Sequence, residues 1–260
     1  MKANDILKLI FERCPERYAM DWDNVGLIAG RGSKEIKSVF IALDATDKVI
    51  NEAIECKADL LLTHHPLIFS AIKKVTDADF ISRRLLRLIQ EDIAYIAMHT
   101  NYDVAVMADL CAGRFGLIDR KVLSVTTEED GNELGIGKCG KLDKAYTLRQ
   151  LSERVKKTFE IPSVRCYGDP EMEITNIAMC PGSGKGMEAE ALEKGAQVLI
   201  TGDLGHHDCI DAVMQGLAVI DAGHYGLEHV FVEDMDAFLS SKCSDITIYK
   251  ERTKMPYSDI

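Results

Sequence analysis

Two adjacent imidazoles, His64 and His65, follow the apolar run Leu60-Leu61-Leu62 and precede Pro66. Neighbouring side chains of a strand point to opposite faces, so both histidines cannot be ordinary core residues. Where the chain turns at the strand's C-terminal end, both can look into one crevice. Neutral imidazole is the commonest protein metal ligand, so such a pair is a start on a metal site. A solvated pair at a loop entrance is the other reading of the dipeptide alone. The remaining five histidines, His99, His206, His207, His224 and His229, also lie at or just beyond predicted strand ends. Carboxylates accompany them. Asp103 closes the segment His99-Thr100-Asn101-Tyr102-Asp103, and Glu228 follows His224 by four residues. If that last segment opens a helix, His224 and Glu228 share a face one turn apart. Sites in open α/β sheets form beyond the carboxyl ends of strands. One crevice collecting His64, His65, Asp103, His224 and Glu228 would suit two divalent ions sharing a bridging carboxylate and a bridging water.

Thiolates are not part of this pattern. The eight cysteines are scattered with no C-x-x-C pair, which reads as free thiols of a reducing cytosol rather than a zinc ribbon or redox motif. Imidazole and carboxylate donors without thiolate suit zinc, iron or manganese.

Other polar groups have competing readings. His99 is expected to support the site or cap its strand. His206 and His207 could line a substrate pocket, donate a proton or simply be exposed, and His229 should point away as a structural residue. Asp44, Asn24 and Asp203 are turn residues near the crevice, and turns favour these types for local hydrogen bonding anyway. The stretch Pro181-Gly182-Ser183-Gly184-Lys185-Gly186 could bind an anion through backbone N–H groups or be a plain tight turn. Trp22, the sole tryptophan, could stack on a purine or simply pack.

The elements that must position these groups alternate between helix and strand, which indicates an α/β fold. Helices are predicted near residues 4–14, with Asn4 as N-cap, and at 47–56, 78–91, 110–115, 147–159 and 187–194. Strands are predicted at 38–43, 59–63, 93–99, 177–180 and 197–201. The first half then repeats. Setting Phe40 against Ala178 places Leu60-Leu61-Leu62 on Val198-Leu199-Ile200 and Thr63 on Thr201, without a gap over 24 positions. A second block, Ala94-Tyr95-Ile96, falls on Ala218-Val219-Ile220. This pattern indicates duplication, with a first repeat at 1–119, a connecting region at 120–170 and a second repeat at 171–260. The expectation is two α/β halves packed into one layered α/β/α unit, with the metal site in the cleft between them.

At 260 residues the chain can bury an ample core. A formal charge of −11 argues against nucleic acid or an anionic membrane as partner. The N-terminus reads as an amphipathic helix rather than a signal peptide, and no apolar run approaches the ~20 residues of a membrane span.

Seven ordered motifs carry a resemblance that runs nearly end to end. They are WDNVGL (22–27), LLTHHPLIF (61–69), HTNYD (99–103), GIGKCGKL (135–142), the Ser183-containing PGSG, LITGDLGHHDCIDA (199–212) and IDAGHYGLEH (220–229). The chain resembles the NIF-three-like family, the type 2 homologues of GTP cyclohydrolase I. The resemblance implies a dinuclear metal centre on a duplicated α/β fold, in a cytoplasmic protein that assembles as a hexameric ring. It carries the metal ligands onto His64, His65, Asp103, His224 and Glu228. The short middle region matches the compact members that lack an inserted domain. Pro181 departs from the glycine more typical there, which weakens a phosphate-cradle reading of that loop.

The function these observations imply is metal-dependent hydrolysis of a small molecule, a nucleotide in the family label, by a metal-bridging hydroxide. His207 and His99 are the candidate proton shuttles, since an imidazole both gives and takes a proton near neutral pH. No guanine-reading motif is present. A phosphoesterase or amidohydrolase acting on another small nucleotide, or a metal-binding scaffold without turnover, are the alternatives.

Overall fold

The computed structural model describes residues 1–252 and 255–257. The chain divides into two compact units, one of Met1–Tyr102 with Phe231–Lys254, the other of Asp103–Val230 with Met255–Ile260. In chain order the first stretch comprises α1 (Ala3–Arg13), β1 (Gly26–Ala29), β2 (Ser38–Ala42), α2 (Asp47–Glu55), β3 (Leu60–Thr63), α3 (Phe80–Gln90), β4 (Ala94–Ala97) and the helical turn α4 (Thr100–Tyr102). The middle stretch opens with a turn of π-helix, Asp103–Met107, and continues through α5 (Ala108–Phe115), β5 (Ile118–Glu129), β6 (Asn132–Thr147), α6 (Leu148–Thr158), β7 (Arg165–Tyr167) and β8 (Glu173–Ser183). It ends with α7 (Glu188–Glu193), β9 (Val198–Gly202), α8 (His206–Met214), β10 (Ala218–Asp221) and α9 (His224–Glu228). The chain then runs through α10 (Val230–Lys242) into β11 (Thr247–Lys250).

Local chemistry explains the element starts. The Thr46 side chain accepts from the Val49 amide at the head of α2, and Val49, Ile50 and Ala53 form its buried stripe. Asp79 accepts from Ser82 at the head of α3, whose Leu85 and Leu88 are buried. Thr147 and Gln150 close a reciprocal capping box on α6. At α1 the cap differs from expectation. The helix begins at Ala3, with Lys2 at the N-cap and Asp5 accepting its backbone N–H, so Asn4 lies within the first turn.

The first unit carries a five-stranded sheet in the order β1-β4-β3-β2-β11. Strands β4, β3, β2 and β11 are parallel neighbours and β1 is antiparallel at the edge. Phe40, Leu61, Leu85, Leu88 and Tyr95 belong to its core. The second unit carries six strands in the order β5-β6-β8-β9-β10-β7. Here β8, β9 and β10 are parallel, and a long antiparallel hairpin, β5–β6, extends one side. Residues 120–170, read from the sequence as a connecting region with short strands and one helix, hold most of β5 together with β6, α6 and β7. Gly135, Gly137 and Gly140 of that stretch are used for close packing. A side chain at Gly135 would collide with the Ser124 carbonyl of the paired strand.

The repeat is visible in the strand register. Val39 pairs with Leu60 and Phe40 with Leu61, while their counterparts Ile177 and Ala178 pair with Val198 and Leu199. Next along, Leu60 pairs with Ala94 and Val198 with Ala218. Both units thus hold three parallel strands in the same order and register. Among the described residues no helix is long and apolar enough to cross a membrane.

Candidate metal centre

In the first unit β3 delivers His64 and His65 at its carboxyl end, as the apolar run implies. The turn is pinned from behind by Tyr95, whose buried hydroxyl donates to the His65 carbonyl at 3.0 Å and accepts from the Leu67 amide at 2.8 Å. Thr63 Oγ1 lies 2.8 Å from that hydroxyl and donates to the same His65 carbonyl at 2.7 Å. Burial pushes the Tyr95 phenol far above its ordinary value, so it stays a neutral hydrogen-bonding group.

His99 joins this pair. One ring nitrogen from each of His64, His65 and His99 lies within 4.8 Å of the others. His64 is fully buried, its ring packed against Tyr102 and Phe231. His99 is held through Nδ1 by Asp23 Oδ1 at 2.9 Å. The Thr100 amide and hydroxyl both donate to the other Asp23 oxygen, at 2.9 and 2.5 Å. Burial would raise the Asp23 carboxyl, but the bonds from His99 and Thr100 outweigh it and hold the group down at about 2. Asn101 reaches the Cys14 carbonyl at the end of α1 (2.8 Å), and Tyr102 donates to Asp234 (2.7 Å). Trp22 is largely exposed and edge-on to His99, and exposed Phe69 makes a similar edge contact with the same ring. Asn24 anchors this loop by donating to the Ile68 carbonyl at 2.8 Å.

In the second unit His224 and Glu228 share a helical face, as their four-residue step predicts. They sit at the two ends of α9, on one face, with His224 Nε2 2.9 Å from Glu228 Oε2. Glu228 is buried. Gly182 explains why the loop after β8 must approach so closely. Its φ is +75°, and a Cβ there would collide with Glu228 Oε1 and lie 3.5 Å from His224 Nε2. The PGSG segment is thus a glycine floor beneath these two donors. The helix that follows it, α7, carries Glu188 and Glu190 in its first turn, which disfavours an anion there. Asp103, at the start of the π-helical turn, and Glu228 both push up the thiols of Cys180 and Cys111, after the larger effect of burial. Those two cysteines therefore stay protonated thiols.

The remaining histidines separate cleanly. His206 and His207 open α8, are exposed, and contact each other edge-on at 5.3 Å. Among the described residues they join no cluster of metal-binding donors. His229 turns its Nδ1 to the Tyr225 and Gly226 carbonyls, and burial lowers its pKa, so it is a neutral structural residue.

Three aspartates went unrecognised as partners in the sequence. Asp44 Oδ1 lies 2.8 Å from His65 Nδ1, Asp203 Oδ2 lies 3.0 Å from His224 Nδ1, and Asp23 holds His99. The first two pairs are each 21 residues apart, a repeated spacing that could have exposed them. Asp23 and His99 are 76 residues apart and share no such signal.

The donor set fits divalent metal in each unit taken by itself: clustered imidazoles in one, an imidazole–carboxylate pair over a glycine floor in the other. Comparison with known proteins agrees with the sequence motifs. The family model described as Duf34/NIF3 (NGG1p interacting factor 3) matches residues 1–256. A protein named GTP cyclohydrolase 1 type 2 homolog from Clostridium acetobutylicum is 34% identical over 230 residues, covering 88% of this chain and 85% of that protein. The crystal structure of Staphylococcus aureus hypothetical protein SA1388 superposes with a TM-score of 0.89 at 30% identity, covering 100% of this chain and 99% of that one. Reduced HcgD from Methanocaldococcus jannaschii gives 0.84 at 32% identity, covering 97% and 98%. The chain belongs to the Duf34/NIF3 family.

Proposed function

We propose that this protein is a metal-dependent hydrolase of a small, nucleotide-like molecule, with His64, His65, Asp103, His224 and Glu228 holding two divalent ions. The observation that carries the reading is the three-imidazole cluster of His64, His65 and His99, whose ring nitrogens lie within 4.8 Å of one another. Imidazoles gathered this closely suit a cation, with His64 and His65 as its donors and His99 held beside them. The family names support the same direction, since its curated relatives are named for GTP cyclohydrolase.

Divalent ions held there would acidify a coordinated water from ~15.7 toward ~7, supplying a nucleophile at neutral pH. The protein's own groups supply the rest. Asp23 fixes the His99 ring, and His99 exchanges a proton at Nε2 with the reacting groups. Exposed Trp22 and Phe69, both edge-on to His99, offer flat apolar walls against which a heterocyclic ring can lie. His207 is the weaker shuttle, because it is exposed and apart from the donor cluster. A homohexameric ring in the cytoplasm is the assembly and location we propose from the family resemblance, and light scattering on the purified protein tests the assembly.

The functional test compares metal-loaded with chelator-stripped protein on GTP and a panel of phosphoesters and cyclic amides. Turnover that needs metal and falls in His64→Ala and Glu228→Gln is the expected result. Equal turnover by metal-free protein would overturn the reading.

A further inference from the structure

Three histidines carry an aspartate on the same ring nitrogen. The Nδ1 atoms of His65, His99 and His224 lie 2.8, 2.9 and 3.0 Å from carboxylate oxygens of Asp44, Asp23 and Asp203. An ionised carboxylate only accepts hydrogen bonds. A neutral ring at His65 or His99 must then carry its proton on Nδ1, which leaves the lone pair on Nε2. At His224 the Nε2 faces a second carboxylate oxygen, Glu228 Oε2, at 2.9 Å, so its lone pair is free only when a cation lies between them.

Simple inheritance from the duplication does not explain the pattern. In each unit an aspartate just past one parallel strand reaches a histidine just past the next. In the first unit the strands are β2 and β3, and in the second they are β9 and β10. The repeat register, however, sets β2 and β3 against β8 and β9. It therefore places Asp203 opposite His65 and Gly182 opposite Asp44. One strand-end position supplies an imidazole in the first unit and a carboxylate in the second. Asp203 also adopts a left-handed backbone, φ +57°, a conformation uncommon outside glycine, asparagine and aspartate. The same device at shifted positions indicates a shared requirement for the ring nitrogen it leaves exposed.

We propose that Asp44, Asp203 and Asp23 are positioning residues that hold His65, His224 and His99 in the Nδ1–H tautomer, presenting Nε2 as metal donor at His65 and His224 and as proton acceptor at His99. The metal role and the free Nε2 of His224 rest on the proposed function; the tautomers of His65 and His99 do not. Carboxylates behind metal-binding histidines fix ring orientation and raise donor strength, and their loss typically weakens metal affinity by about 10–100-fold.

Solid-state carbon and nitrogen NMR of chelator-stripped protein labelled in its histidine rings reads the protonated nitrogen whatever the particle size. Nδ1–H signals are expected at His65, His99 and His224, each lost or mixed with the other tautomer in the matching variant, Asp44→Asn, Asp23→Asn or Asp203→Asn. Zinc competition against a chelator is the second readout. Asp44→Asn and Asp203→Asn should weaken zinc by about 10–100-fold, while Asp23→Asn stays within about 3-fold of wild type. An Nε2–H tautomer at any of the three wild-type rings overturns its assignment. Unchanged zinc affinity in Asp44→Asn and Asp203→Asn overturns their role toward metal. Nδ1–H tautomers in a wild type that binds no zinc would overturn the metal reading itself and leave the tautomer assignment standing. Variants are compared only where their circular dichroism matches wild type, and Asp→Ser replaces any Asn variant that does not fold.

Discussion

The Tyr95 hydroxyl and Thr63 Oγ1 lie 2.8 Å apart inside the first unit, and both reach the carbonyl of His65. A buried phenol on β4 thereby sets the path of the chain as it leaves β3 with the two histidines. Tyr95→Phe keeps the ring's volume but strips the Leu67 amide of its acceptor. A buried donor left without a partner costs about 1–3 kcal/mol. Urea unfolding should show a loss of that size, accompanied by weaker metal retention. A variant as stable as wild type would remove the hydroxyl from this role.

Gly182→Ala places a methyl group against the Glu228 carboxylate on a backbone of φ +75°. Left-handed strain and steric conflict together should cost about 1–3 kcal/mol. Metal retention should fall further than in Gly186→Ala, where a Cβ meets nothing within 4 Å despite a φ of +91°. Elemental analysis of the two variants side by side makes the comparison, and equal metal content in both would contradict the glycine-floor reading.

Acid stability should depend on Asp23. Its carboxyl sits at about 2 in the folded protein against an ordinary 3.8, so the unfolded chain binds the proton more tightly. The resulting stabilisation is fully present above about 4 and is lost as pH falls through about 2. A shift of this size corresponds to about 2 kcal/mol. Stability curves from pH 2 to pH 7 should therefore be flatter for Asp23→Asn than for wild type. Parallel curves would show that the His99 and Thr100 bonds contribute no such linkage.

If a hydrolysed substrate is found, His99→Ala should lower its turnover by about 10²–10⁴-fold, the usual contribution of a positioned proton-transfer group. His207→Ala, an exposed change, should leave turnover within about 3-fold of wild type. Steady-state kinetics of the two variants decides between the shuttles, and the reverse ranking would transfer the role to His207.

Much of this arrangement is legible in the sequence because it is local or repeated. The apolar runs Leu60-Leu61-Leu62 and Val198-Leu199-Ile200 fix two central strands, and their gapless alignment anticipates the common strand register of both units. The four-residue step from His224 to Glu228 gives their shared face directly. Contacts made at long range are not legible. Nothing near Trp22 indicates that Asp23 will hold His99, and an aspartate in a turn looks the same whether it serves the turn or a distant ring. Gly135, Gly137 and Gly140 read from the sequence as part of a connecting region, but they lie in a long strand whose close neighbours leave no room for side chains. Equally hidden is the parallel pairing of β11 with β2, which brings the last strand back to the first unit.

His64, His65, Asp103, His224 and Glu228 are the residues proposed to bind divalent metal. Elemental analysis of protein purified from its native source and dialysed against metal-free buffer tests this most directly, alongside His64→Ala and Glu228→Gln prepared identically. Wild type should carry about two ions per chain, and either variant at most a small fraction of that. Metal content unchanged in both folded variants would contradict that assignment.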